Sequence, residues 1–82
     1  MNAENDINKT ICKYIYSNWI VNEKSQRSFA IKHEIEESTV RKIKNIALGT
    51  AKSDYNMTIK TLFKICKTEN TTLEQFFKLI NE

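Results

Sequence analysis

The sequence predicts an all-α fold, and three observations carry that prediction. The chain of 82 residues holds one Gly and no Pro, so it lacks the turn residues on which an all-β fold depends. Its apolar residues recur at spacings of three and four, the period of a helix with one buried face. Ser and Thr stand just before several of those stretches, where they can cap a helix. Together these describe a compact five-helix domain over residues 1–82, with helices 2 and 3 joined by a tight turn. A chain this short buries only about 60–65% of its unfolded surface, so each apolar face counts.

The first helix is marked by Ile7, Ile11, Tyr14, Ile15 and Trp19, with Asn5 or Asp6 as its cap and an end near Val21. Asn22-Glu23-Lys24 is a polar break. Ser25 caps the second helix, residues 26–33, whose inner side holds Phe29, Ala30 and the weaker His33. Glu34 takes the turn position where positive φ usually selects Gly, at a cost of roughly 1 kcal/mol. Ile35 turns inward. Glu36 or Glu37 opens the third helix, residues 37–48, where an acid suits the helix dipole. Glu37 and Arg41 make an i,i+4 pair on it. Its apolar stripe is Val40, Ile43 and Ala47, with Leu48 as a further candidate, and Gly49 terminates it.

Residues 49–56 form the one clear loop of the second half. Thr58 caps the fourth helix, with Ile59, Leu62, Phe63 and Cys66 as its buried face. Residues 67–71 break it. Thr72 and Gln75 then form a capping-box pattern. The fifth helix follows with Leu73, Phe76, Phe77 and Ile80. Met57 and the Tyr and Phe residues read as core, because the chain has no other means of building one. Apolar area left over on Phe76, Phe77 and Ile80 would suit a dimer contact.

Composition excludes several classes. No apolar run exceeds three residues, as in Trp19-Ile20-Val21, whereas a membrane span needs about 20. The first ten residues are polar and carry two acids, unlike a signal peptide. Cys12 and Cys66 each sit in a helical apolar pattern, which reads as buried free thiols in a reducing, cytoplasmic setting. Two Cys and the lone His33 supply no recognisable zinc spacing. No nucleophile–base pair, paired acids or Gly-rich phosphate loop is present, so the expectation is no enzyme and no cofactor.

Charge is more informative in its distribution than in its net value of +3. Residues 41–67 hold seven bases and one acid, Asp54, between neutral or acidic flanks. That block suggests a surface facing a polyanion; a solvated lysine face would look the same.

The stretch 26–45 joins two short helices by a tight turn, with a small buried residue and a basic second helix, which describes a helix-turn-helix. Its residues resemble a known family. Ser25-Gln26, Phe29-Ala30, Ile35, Ser38-Thr39-Val40 and Ile43 are similar to the helix-turn-helix of the Cro/CI-type (XRE-family, lambda-repressor-like) DNA-binding domain. Residues 57–77 resemble that family's last two helices, down to Thr72-Leu73 and Phe76. The likeness spans 25–77, and helix one matches only in kind.

The resemblance implies a sequence-specific double-stranded DNA-binding transcriptional regulator acting as a homodimer. The recognition helix, about 37–48, would lie in the major groove. It implies that Gln26 sits near a phosphate. Glu37, Ser38 and Lys42 would reach base edges, and Arg41, Lys44 and Asn45 would contact bases or phosphates. Lys42 or Arg41 suits guanine, and Glu37 suits a cytosine amino group. Departures from the family pattern are Glu34 at the turn Gly, His33 at a core Leu and the acids Glu36 and Glu37 facing DNA. His33 reads as a half-buried structural residue. The two acids read equally as base readers or as capping and solubilising groups. The 49–56 loop is longer than the family's connection and offers Lys52 to the backbone. The alternative is a protein-interaction module on the same fold, antitoxin-like or an anti-regulator, with weak or no DNA binding.

Overall fold

The structure is a computed structural model describing residues 3–52 and 54–81, with side chains from Ile7 onward. All regular structure among the described residues is helical: α1 (Ala3–Ile15), α2 (Gln26–His33), α3 (Glu37–Leu48), α4 (Ile59–Thr68) and α5 (Leu73–Ile80). Between α1 and α2 a π-helical turn spans Tyr16–Ile20. α1 packs mainly on α3, α2 on α3 and α4, and α5 on α1 and α4.

The described part of α1 starts at Ala3, and the capping expected of Asn5 or Asp6 falls outside the side chains described. Its α-helical part ends earlier than the apolar spacing suggests. From Ile15 the chain widens into the π turn, where the Val21 N–H donates to the Tyr16 carbonyl at 3.1 Å. The wider turn brings Ile20, five residues after Ile15, into the core beside it. It also lets Trp19 pack on Tyr14 and Phe76, with ring centroids 5.4 and 5.8 Å away. A regular α-helix would turn one of the two side chains outward.

Ser25 caps α2, its hydroxyl accepting from the Ser28 N–H. Thr58 does the same for α4 through Thr61. Thr72 and Gln75 complete a reciprocal capping box on α5. Gly49 ends α3 at φ 75, as its position predicted. Glu34 ends α2 at φ 58, a left-handed conformation that a Cβ disfavours. The turn is locked by the Ile35 N–H on the Ala30 carbonyl at 3.0 Å. The Lys64 ammonium also donates to the Glu34 carbonyl, at 3.2 Å.

The core is built from Ile11, Cys12, Ile15, Ile20, Phe29, Ala30, Val40, Ile43, Ala47, Leu62, Ile65, Cys66 and Phe76. Both cysteines are buried free thiols. Three expectations are corrected. α4 turns Leu62, Ile65 and Cys66 inward, and leaves Ile59 and Phe63 exposed. The spacing of its apolar residues fits either face; packing against α2 and α5 selects the one with Ile65. Phe76 is fully buried, and Phe77 and Ile80 pack on the core, so Leu79 is the exposed apolar residue of α5. His33 is fully buried, not half-buried. Its Nδ1 lies 2.8 Å from the Phe29 carbonyl and its Nε2 2.6 Å from Glu69 Oε2, and its ring stacks on Phe29 at 3.8 Å.

Candidate nucleic-acid interface

α3 is held by its apolar stripe. Val40 and Ile43 are fully buried and Ala47 nearly so, whereas Leu48, also a candidate for that stripe, is exposed at the helix end. Side chains on the opposite side of a helix must then point away from the body. Ser38, Arg41 and Lys42 do so and are exposed, and Glu37 is exposed beside them. They occupy the first half of the helix and form one short strip at i and i+4 spacing.

The other site candidates stand differently. Lys44 is half-buried on the flank of the apolar stripe. Asn45 is half-buried, and its Oδ1 accepts from the Thr50 hydroxyl at 3.1 Å. That bond commits its oxygen to the loop after α3 and leaves its amide N–H groups for an outside acceptor. Gln26 is half-buried at the first position of α2. The structure thus groups Glu37, Ser38, Arg41 and Lys42 in one outward strip.

The acids Glu36 and Glu37 are both exposed. Glu36 stands at the N-cap without a side-chain capping bond, and its backbone carbonyl receives the Thr39 and Val40 N–H groups. Glu37 is in the first turn. Among the described residues the ion pairs of Lys and Arg are Lys32–Glu23 and Lys78–Glu74, so the expected Glu37–Arg41 pair does not form. A pair that exposed would add only a few tenths of a kcal/mol, ~0.3–0.5, and does not hold its side chains in place.

The loop between α3 and α4 leaves Arg41 and Lys42 open. It is tied back to α1 by Asn8. The Asn8 amide donates to the Tyr55 carbonyl at 2.8 Å, and its oxygen accepts from the Met57 N–H at 2.9 Å. Tyr55 packs against the core near Cys12, and burial first, then that thiol, pushes its hydroxyl up to about 12. This anchoring sets Lys52 beside Lys42, where both line a small cleft of about 30 Å³ with Asn45 and Tyr55. Asn8 carried no sequence signal: its partners are 47 and 49 residues away.

Chemically the strip offers two basic side chains, one hydroxyl and one carboxylate, on a helix narrow enough for a DNA major groove. No three His, Cys, Asp or Glu side chains among the described residues come together as a metal site, and no described helix is long and apolar enough to cross a membrane. Among known proteins, no family model, curated protein or solved structure matches the chain.

Proposed function

We propose that this chain is a sequence-specific double-stranded DNA-binding regulator, with α2 and α3 as a lambda-repressor-like helix-turn-helix. One observation supports the reading best: Ser38, Arg41 and Lys42 point outward from α3 while Val40 and Ile43 anchor it. α3 would enter the major groove, with Lys42 or Arg41 on guanine O6 and N7, Ser38 on a base edge and Glu37 on a cytosine amino group. Gln26, Lys44 and the free amide of Asn45 would meet phosphates or neighbouring bases, and Lys52 the backbone beside them.

A single helix reads few base pairs, so useful specificity calls for a homodimer on two half-sites. On this reading the chain acts in the cytoplasm as a transcription regulator without enzymatic activity or cofactor. Selection from a random duplex pool at low salt is the test. An enriched, salt-sensitive site supports the reading; a pool that emerges unenriched ends it. The exposed acids Glu36 and Glu37 favour a second reading, an interaction module on the same fold. That reading gains if the chain retains a stoichiometric protein partner and no duplex.

A further inference from the structure

α4 has two unlike sides. Its inner side is buried through Leu62, Ile65 and Cys66. Its outer side carries Lys60, Phe63, Lys64 and Lys67 at i, i+3, i+4 and i+7, one continuous stripe. Phe63 is 53% exposed at its centre. Between this stripe and the end of α2 runs an open groove of about 490 Å³, closed at one end by His33 and Glu34. The Lys64 ammonium is fixed on the Glu34 carbonyl. Among the described residues Lys60 and Lys67 have no ion-pair partner.

We propose that this groove is a docking site for an acidic segment of another protein that carries one aromatic or aliphatic anchor. Charge and apolar surface both point there. Three lysines face the groove against one acid, Glu34, and they surround an exposed aromatic ring. An anchor side chain seated on Phe63 would bury that ring, and flanking carboxylates would reach Lys60 and Lys67. The volume suits one large side chain with its backbone.

A DNA backbone fits less well. A duplex keeps its bases stacked inside and has nothing apolar to lay on Phe63. A continuous phosphate chain would also have to pass the Glu34 carboxylate and the carbonyl end of α2, both negative. A peptide can place its acids only where the lysines are. No lining residue belongs to α3, so this surface goes beyond the DNA reading and stands whether or not that reading holds.

The test uses the isotope-labelled full chain and a short peptide of Asp and Glu with a single central Trp. Addition of the peptide should shift the amide resonances of residues 33–34 and 60–68. Replacing the peptide's Trp by Ser should weaken binding, and the double variant Lys60→Glu, Lys67→Glu should weaken it by about tenfold or more. These positions are exposed, so the variant folds, and its binding to any selected duplex should change by less than about threefold. Peptide shifts that map elsewhere overturn the proposal, as does an affinity indifferent to the charge reversal. A single-stranded or duplex oligonucleotide that perturbs residues 60–68 while the peptide does not would assign the surface to nucleic acid and overturn it too.

Discussion

His33 Nε2 and Glu69 Oε2 stand 2.6 Å apart, joining the end of α2 to the end of α4 across 36 residues of sequence. The other ring nitrogen faces the Phe29 carbonyl, which has no proton to give, so Nδ1 carries the hydrogen. Glu69→Ala leaves Nε2 buried without a partner and should cost about 1–3 kcal/mol in urea denaturation. His33→Leu removes the need for a partner and should cost less than about 1.5 kcal/mol. A double-mutant cycle separates the two effects. A coupling energy near zero in that cycle would show the bond to be incidental.

Ala30 is buried where α2 meets α3, and its carbonyl receives the Ile35 N–H. A larger side chain there would have to push the two helices apart. Ala30→Leu should destabilise the fold by about 1–3 kcal/mol through overpacking. A shift of the thermal midpoint in circular dichroism measures it, and a wild-type midpoint would mean that α2 and α3 can part freely.

The two left-handed caps respond oppositely. Glu34 carries a side chain at φ 58, whereas Gly49 sits at φ 75 with open space around a would-be Cβ. Glu34→Gly relieves backbone strain but frees the unfolded chain, for a net gain of about 0.5–1 kcal/mol. Gly49→Ala adds the same strain without a clash and should lose about 1 kcal/mol. Paired denaturation curves check both signs.

The helix bounds were largely legible because the signals were local. Ser25, Thr58 and Thr72 cap where a hydroxyl precedes an apolar period, and Gly49 ends α3 as the sole Gly. The strip of Ser38, Arg41 and Lys42 followed from the stripe opposite it. What stayed illegible depends on partners distant in sequence. Nothing near His33 announces Glu69, and nothing near Asn8 announces Tyr55. The π turn was hidden because Ile15, Trp19 and Ile20 satisfy an α-helical pattern well enough. On α4, both Phe63 and Ile65 fit the helical period with Leu62 and Cys66, and only tertiary contacts choose between them.

Alkaline pH should weaken the fold. Burial pushes the Cys12 thiol up to about 11, and burial first, then the Glu69 charge, does the same for Cys66. In the unfolded chain a thiol ionises near about 8.5. The stabilisation is therefore fully present below about pH 8.5, where both states keep their protons. As pH rises toward about 11 the unfolded chain releases protons that the folded one retains, and the balance moves toward unfolding. Tyr55, raised to about 12, extends the decline. The urea midpoint should fall across this window, while a thiol reagent near neutral pH reacts only as fast as the fold opens. Rapid labelling of the native chain would contradict the burial.

Lys42 and Lys52 flank one cleft but should play different parts if α3 reads DNA. Lys42 is on the outward strip, where it would meet a base edge, whereas Lys52 comes from the loop that Asn8 ties down. Lys42→Ala should cost about 1–3 kcal/mol on the selected site and relax preference at one base position. Lys52→Ala should weaken all duplexes alike and lower the salt slope by about 1. Asn8→Ala leaves both charges in place but frees the loop, so it should copy the Lys52 variant in weaker form. Titrations of each variant against the selected duplex and a scrambled one, over a range of salt, distinguish the roles. A Lys42 variant that loses equally on both duplexes would make Lys42 a phosphate contact, and base reading would then rest on Ser38, Arg41 and Glu37.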